Sequence, residues 1–286
     1  MTAVTYRRPV SFSSLAATYG LSPPYKFSAI RVAAGSTSQT IGTDTLIPVV
    51  GRRVIPLIVR TNTANFDAYV EALLSGRYLP GNSDIRIYVS SNVLVGSVTT
   101  STAALAVPSA FLASDTVSID NSGSILGCGG RGGRGGYPQT TPATVGLVGG
   151  VALQLQRATT VTNRNVIGGG GGGGGGGNGG STTVSPTKTT TYYGGGGGGG
   201  GAGYNGGAGG TAGTGGTPGG SGTPIAGGGL GAAEGGPAAP GGAGGGLGSP
   251  GVSSPNGSGG VAGGVAVNGV SNITWVLQGT LYGGTA

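Results

Sequence analysis

The sequence Val161-Thr-Asn-Arg-Asn-Val-Ile167 leads directly into ten consecutive glycines, Gly168–Gly177, and a second run of eight follows at Gly194–Gly201. Neither run has side chains that could fill an apolar core, span a membrane or perform chemistry. An all-glycine run is either a flexible linker or a packed polyglycine II helix, whose outward-pointing N–H and C=O groups can bond to neighbouring helices.

Glycine is concentrated in the second part of the chain. Glycine makes up 71 of the 286 residues, about a quarter, whereas it makes up about 7% of ordinary proteins. Most of these glycines lie after Gly127. Charged residues make up only 7% of the chain, which argues against simple intrinsic disorder. The composition predicts an N-terminal docking arm (1–35), a β-rich domain (36–126) and a glycine-rich polyglycine II domain (127–286) with variable loops and a C-terminal closing strand.

Residues 36–126 have the pattern of a small β-rich domain. Ile85, Ile87 and Val89 alternate with more polar residues, and β-branched runs predict further strands at 46–50, 54–59, 93–98, 103–107 and 117–119. Residues 64–75 form the one plausible helix, which Gly76 ends. The predicted fold class is therefore a mainly β N-terminal attachment domain with one short helix, followed by a polyglycine II helix bundle with little regular α or β structure.

A repeated unit precedes two of the glycine regions. In 119–125 and 161–167, an apolar residue is followed by Asn two positions later, then by Gly or Asn, which tolerate positive φ, and then by Ile. Residues 279–283 repeat the second half of this pattern. Each copy predicts a strand, a tight turn and a short strand. The copies would meet in one apolar seam of Ile125, Ile167 and Leu281.

The residue types argue against an enzyme. Histidine is absent and Cys128 is the single cysteine, so no disulfide framework, Cys–His pair or histidine metal site can be assembled. Asp67 and Glu71 lie four residues apart on the possible helix, where a solvated helix face explains them better than a catalytic pair. No cofactor and no metal are expected.

The sequence shows no secretory signal and no apolar run long enough to span a bilayer. Two alternative interpretations of the glycine region remain. Glycines at a strict period of three over 207–222 allow a collagen-like helix, although the segments between glycine runs would interrupt it. Arg131-Gly-Gly-Arg134-Gly-Gly resembles an RNA-binding RGG tract, but two units make a short one.

The glycine-rich half resembles the receptor-recognising adhesins at the tips of long tail fibres in T-even-like phages. Residues 63–73, 84–90, 93–102 and 117–136 look like a module that precedes such regions in many phage tail-fibre proteins. The opening Val10–Gly20 is similar to the first residues of phage tail proteins, and 272–283 fits their closing segment. The amino-terminal third does not look like the T-even attachment domain, which leaves the mode of mounting open.

The resemblance implies a virion protein at a phage tail tip or fibre, assembled in the host cytoplasm, that binds a receptor on the bacterial surface. The implied partners are an outer-membrane protein or lipopolysaccharide of the host and, through residues 1–126, another tail-fibre or tail-tip protein. No nucleic acid and no membrane insertion are expected. The alternative is a structural virion component in which the glycine region is a rigid spacer without receptor contact.

In this family the loops between glycine segments would contact the receptor at the far end of the bundle. Tyrosines beside glycine offer a large contact area with few torsions to freeze, and a lysine near them suits an acidic sugar or phosphate. The alternative is that the tyrosines pack over the bundle edge and touch no ligand. The predicted receptor-binding residues are Tyr137, Lys188, Tyr192, Tyr193 and Tyr204.

Overall fold

A computed structural model describes residues 52–186 and 188–286. The predicted docking arm (1–35) and the predicted strand at 46–50 lie outside these residues. The described chain contains one α-helix of seven residues, a single 3-10 turn and strands that are mostly parallel to their neighbours.

Three parallel sheets organise the chain. The first sheet has five strands in the order β1-β4-β7-β10-β15: β1 (Arg53–Val59), β4 (Ser83–Val89), β7 (Thr116–Asn121), β10 (Thr159–Asn163) and β15 (Ile273–Leu277). The second contains β2 (Thr63–Ala64), β5 (Leu94–Gly96), β8 (Ser124–Leu126), β11 (Val166–Gly168) and β16 (Thr280–Tyr282). The third contains β3 (Phe66–Asp67), β6 (Leu105–Val107), β9 (Leu153–Leu155) and β14 (Val267–Asn268).

The chain visits the first, second and third sheets in turn and then begins the next circuit. Each of the first four circuits adds one strand to each sheet, and the fifth adds β15 and β16, so the three sheets form a three-sided parallel β-helix of five coils. The fifth coil closes with Thr285, which forms a parallel bridge to Val267. We call this part of the molecule the solenoid.

Alternation along the strands fills the solenoid with apolar side chains. In β1, Ile55, Leu57 and Val59 are buried, and the residues between them face outwards. The same alternation holds in β4, as the sequence predicted. Parallel pairing stacks like residues from coil to coil, and one such row is Leu57, Ile87, Ile119, Val161 and Trp275.

The repeated unit forms the corner between the first and second sheets. Ile167 of β11 pairs with both Ile125 and Leu281, so the predicted apolar seam is confirmed. In the same corner the buried Asn121 Nδ2 donates to Asn163 Oδ1 at 2.8 Å, and Asn163 Nδ2 donates to the Gln278 carbonyl at 2.7 Å. Side-chain amides therefore satisfy turn carbonyls that the corner would otherwise leave buried and unpaired.

The predicted helix is shorter than expected. Helix α1 runs over Ala68–Leu74, because the residues before it form β2 and β3. Asp67 caps its N-terminus by accepting from the backbone N–H groups of Tyr69 and Val70. Among the described residues no helix has the length and apolarity needed to cross a bilayer.

The glycine segments are two long excursions from the corner between the second and third sheets. One leaves β8 and returns at β9, and the other leaves β11 and returns at β14. Together they form ten extended segments in three stacked rows, which we call the glycine layer. The first outer row consists of segments 143–150, 127–136 and 205–213. The central row consists of 257–264, 168–177, 194–203 and 216–222. The second outer row consists of 249–252, 239–247 and 226–231.

Backbone hydrogen bonds at every third residue connect these segments. Within 168–177, the N–H groups of Gly170, Gly173 and Gly176 donate to carbonyls of segment 143–150. The N–H groups one position later donate to segment 194–203, and those two positions after Gly170 and Gly173 donate to segment 249–252. The carbonyls of the run accept from three further segments, so six neighbours surround it. The run 194–201 is enclosed in the same way, which explains why these two runs consist of glycine alone.

Peripheral segments need glycine only on the side that faces a neighbour. Gly207, Gly210 and Gly213 lie so close to the backbone of 127–136 that an added Cβ would collide with it. The period of three over 207–222 therefore arises from packing within one chain and not from a three-chain collagen helix.

The predicted fold class, a mainly β attachment domain followed by a polyglycine II bundle with little regular structure, is wrong. Parallel sheets organise the whole described chain, and the first sheet takes β1, β4 and β7 from before residue 126 and β10 and β15 from after it. Composition misled the prediction because it changes sharply at this position. Parallel pairing joins strands that are distant in sequence, such as β7 and β10, and a local change in composition does not report on it.

Candidate functional site

Five loops join the glycine segments at the end of the glycine layer that faces away from the solenoid. Bonds from Gly136, Ala239 and Ser258 reach Gly177, Asn178 and Gly176, which places the ends of these segments at one level. We call the surface formed by the five loops the distal surface. The loops are 137–142, 178–193, 214–215, 232–238 and 253–256.

The longest distal loop is an antiparallel hairpin. Strands β12 (Gly180–Val184) and β13 (Thr189–Tyr193) pair in register from Gly180 with Tyr193 to Val184 with Thr189. Threonine dominates both strands, as expected for a hairpin with two solvated faces. Lys188 lies at the tip of the hairpin, where it is exposed and has a φ of 52°.

Tyr137 and Tyr192 come together beside this hairpin. Their ring centroids are 6.3 Å apart with the rings tilted by 55°. Tyr137 and Thr141 exchange backbone hydrogen bonds of 2.7 and 3.0 Å, which closes the 137–142 loop into a tight turn. Gln139 at its tip donates from Nε2 to the Tyr192 hydroxyl at 2.8 Å. These contacts fix the relative position of the two tyrosine rings.

Tyr193 lies on the opposite side of the hairpin base and contacts the 232–238 loop. An added Cβ on Gly236 would overlap its ring, so this glycine lets the loop pack against the aromatic face. Glu234 in that loop accepts from the Gly194 N–H at 3.0 Å. Its carboxylate thus ties the loop to the hairpin.

Tyr204 lies at the other end of the glycine layer. Its backbone N–H donates to the Gly127 carbonyl, and its ring packs against Gly96 of β5, where an added Cβ would overlap it. The structure therefore brings together Tyr137, Tyr192 and Tyr193 with Lys188 on the distal surface, and does not bring Tyr204 to them. The position of Tyr204 could have been found from the direction of the glycine segments. Segment 168–177 runs away from the solenoid and 194–203 runs back towards it, so Tyr204, which follows directly, lies near the solenoid again.

The surroundings of the distal surface suit binding by hydrogen bonds and aromatic contact. An open pocket of about 420 Å³ is formed by residues 136–143 with Asn178 and Gly179. Sequence reasoning missed Gln139 and Glu234, because an isolated amide and an isolated carboxylate in glycine-rich loops carry no local pattern.

Two further observations concern reactive groups. Over 52–186 and 188–286, no cluster of three His, Cys, Asp or Glu side chains could hold a metal ion. Cys128 is buried near the solenoid, with its thiol 3.2 Å from the Asn205 carbonyl, and burial raises the pKa of this thiol. The distal surface presents hydroxyl, amide, ammonium and aromatic groups, together with the Glu234 carboxylate.

Two comparisons with known proteins found a match for the chain. A family model described as phage tail fibre adhesin Gp38 matches residues 54–286. A solved structure described as the gp37-gp38 adhesin tip complex of the bacteriophage S16 long tail fiber is similar over 98% of this chain and 99% of that chain, with a TM-score of 0.55 and 23% sequence identity. At that identity the likeness concerns the fold. No curated protein sequence matches.

Proposed function

The chain belongs to the Gp38 family of phage tail fibre adhesins, and from this premise we propose that its distal surface is the part that contacts the host receptor. The resemblance predicted from the sequence is confirmed, as are its role as a tail adhesin in host attachment and its place in the virion tail. Membership of an adhesin family indicates a structural role.

One observation carries the proposal. All five loops that contain the non-glycine residues between outward and returning segments are gathered on one surface. The glycine layer beneath them is fixed by backbone hydrogen bonds and does not depend on which side chains the loops contain. Loops on a rigid scaffold are the usual place for recognition.

The proposed receptor is an outer-membrane protein or lipopolysaccharide of the bacterial host. Tyr137, Tyr192 and Tyr193 would supply contact area, since a half-buried tyrosine ring loses little conformational entropy on binding. Lys188 would supply a cation at the hairpin tip. The prediction for Tyr204 is not included, because this residue lies beside the solenoid.

We further propose that the chain is mounted on another tail-fibre or tail-tip protein through residues 1–126, with 1–35 as a docking arm and 36–126 as an attachment region that shares its sheets with the rest of the chain. The structural neighbour is a complex of gp37 with gp38, which supports a partner of this class. The described part of this region lies in the solenoid, at the opposite end from the distal surface. Mounting there would leave the loops facing the cell.

The test is inhibition of phage adsorption by the purified full chain. We expect the chain to bind host cells and to block adsorption in proportion to its concentration. Replacing Tyr137 and Tyr192 with alanine should reduce cell binding at least tenfold. Tyr88→Ala is the matched control, because it removes a tyrosine ring exposed on the first sheet of the solenoid and should leave binding unchanged.

A folded chain that binds no cells would rule out receptor contact by this protein. It would favour the alternative of a rigid spacer. Equal loss of binding in the distal double variant and in Tyr88→Ala would instead place the receptor contact away from the distal surface.

A further inference from the structure

The pocket beside the 137–142 loop has the lining of a sugar site. Tyr137, Gln139, Thr140, Thr141 and Asn178 contribute hydroxyl, amide and aromatic groups, and no charged side chain lines it. Hydroxyls and amides both donate and accept hydrogen bonds, as the hydroxyls of a sugar require. A volume of about 420 Å³ lies within the range of small-molecule sites.

The wall of this pocket is already ordered. The paired backbone bonds between Tyr137 and Thr141 fix the turn, and the bond from Gln139 to Tyr192 fixes its tip. Gly179 lies so close to Pro138 that an added Cβ would collide with the proline ring. Binding would therefore cost little ordering of the loop.

A row of cations leads up to the pocket along segment 127–136. Arg131 and Arg134 are exposed, whereas the glycines between them are buried against neighbouring segments, so both arginines emerge on the same side. Arg134 Nη2 lies 3.4 Å from the carbonyl of Pro142, a residue of the pocket lining, which places the guanidinium at the pocket wall.

No acid neutralises this row. Glu234 is the single acidic residue after position 126, and its carboxylate accepts from the Gly194 N–H in another loop. The ion pairs of the described chain are Arg86 with Asp84 and Arg164 with Asp120, both in the solenoid. The guanidinium groups of Arg131 and Arg134 are thus available to an anion from outside.

We propose that the 137–142 pocket and the adjacent Arg134 and Arg131 bind a phosphorylated saccharide of the bacterial surface. The sugar ring would occupy the pocket and its phosphate would bind the guanidinium groups, whose planar donor fork matches phosphate oxygens. The inference rests on the proposed function and names the ligand class at one place on the distal surface.

The test measures binding of the full chain to three probes by isothermal titration calorimetry. The probes are deacylated core oligosaccharide from the lipopolysaccharide of the host strain, the same oligosaccharide after dephosphorylation, and inorganic phosphate. We expect the intact oligosaccharide to bind at least tenfold more tightly than either of the others. Raising the salt concentration should reduce this preference, because the guanidinium groups are exposed.

Two variants and a control locate the site. Arg134→Gln should lower affinity for the intact oligosaccharide to that for the dephosphorylated one. Gln139→Ala should weaken both oligosaccharides by a similar factor. Arg157→Gln removes the same charge in the solenoid, between β9 and β10, and should change neither affinity.

The outcomes separate this inference from the proposed function. If the chain blocks phage adsorption but does not bind the oligosaccharide, the saccharide inference is wrong and a protein receptor is favoured. Equal affinity for the two oligosaccharides, or an equal effect of Arg157→Gln and Arg134→Gln, would remove the phosphate site. If the chain neither binds cells nor blocks adsorption, the proposed function itself falls.

Discussion

The solenoid and the glycine layer have interiors of opposite kinds. The solenoid is filled with apolar side chains, of which the row from Leu57 to Val161 is an example, and its backbone bonds lie in the walls. The glycine layer has no side chains in its centre, and the backbone of 168–177 itself is the core. One chain therefore uses both ways of excluding water from a protein interior.

The difference explains why the two regions are joined as they are. Apolar burial contributes about 25 cal/mol per Å² and stabilises the solenoid directly. A backbone hydrogen bond contributes only about 1 kcal/mol net, against about 1–2 kcal/mol for fixing one residue. The glycine layer depends on cooperation among its segments and on anchoring, and both excursions start from paired strands, with Gly168 opposite Leu126. The apolar core of the solenoid therefore fixes the strand ends from which the segments of the glycine layer start.

The largest effect is expected from adding one carbon to the backbone core. In Gly173→Ala the new Cβ would lie inside the contact distance of the Arg131 carbonyl, and the neighbouring backbone cannot move without breaking its own bonds. Overpacking usually costs about 1–3 kcal/mol, and here we expect more than about 3 kcal/mol. Thermal unfolding and cell binding should both show the loss.

Gly229→Ala is the matched control for this substitution. Gly229 lies in segment 226–231, and an added Cβ would meet no atom within 4 Å. This variant should be neutral or more stable by about 0.4–1 kcal/mol, because alanine restricts the unfolded chain. If both alanines are tolerated equally, the glycine layer does not have the close-packed backbone core described above.

The second effect concerns the corner where the two regions meet. In Asn163→Ala, the Asn121 amide loses the shorter of its two hydrogen bonds and keeps only the one to the Val166 carbonyl at 3.2 Å. The Gln278 carbonyl loses the donor that lies 2.7 Å from it. Each buried polar group left without a partner costs about 1–3 kcal/mol. We expect a loss of about 2–4 kcal/mol in the free energy of unfolding, measured by chemical denaturation.

Asn165→Ala is the corresponding control. Asn165 is exposed, and its amide bond to the Ser122 carbonyl is long, at 3.4 Å. This variant should lose less than about 1 kcal/mol. An equal loss in the two variants would contradict a special role for the buried amide ladder.

The amount that could be predicted from the sequence differs between the two regions. The corner unit was predictable, because Asn163 and Ile167 repeat the spacing of Asn121 and Ile125. The corresponding corner of the preceding coil was not predictable as a copy of this unit. Val89 stands where β7 has Asn121, and four residues separate β4 from β5, whereas two separate β7 from β8. The third sheet was also missed, since β3 and β14 have only two residues each, too few to show alternation.

For the candidate site, residue type indicated binding but not position. Tyr137, Tyr193 and Tyr204 each stand next to a glycine, yet only the direction of the adjacent glycine run decides at which end of the glycine layer each lies. That direction depends on the solenoid from which the excursions begin. The pocket and the bond from Gln139 to Tyr192 depend on two loops meeting in space, which no local spacing reports.

A third, smaller effect is expected from the side-chain core. Ile167→Val removes one methylene group from a fully buried residue between Ile125 and Leu281. Such a change typically costs about 0.5–1.5 kcal/mol, because only part of the cavity closes. Chemical denaturation should show this loss. Val276 is exposed on β15, and for Val276→Ala the free energy of unfolding should lie within about 0.5 kcal/mol of the wild-type value. A larger loss would show that the outer face of β15 is packed against another part of the protein.

The smallest effect is a dependence on alkaline pH that comes from the solenoid. Tyr78 donates from its hydroxyl to Asp115 Oδ2 at 2.8 Å, and its ring packs edge-on against Tyr69 and Phe111. Burial and then this hydrogen bond to the carboxylate raise the pKa of Tyr78 well above 10. As the pH rises through about 10, the unfolded chain therefore releases the Tyr78 proton while the folded chain keeps it.

The stability that Tyr78 contributes is complete below pH 10 and is lost progressively above it, because the unfolded state then binds fewer protons than the folded state. We expect this loss to be under about 1 kcal/mol at pH 11, since the phenol is partly accessible to water. Unfolding of the wild type and of Tyr78→Phe should be compared between pH 8 and 11. The wild type should lose stability more steeply. Parallel curves would mean that the proton of Tyr78 does not couple to folding.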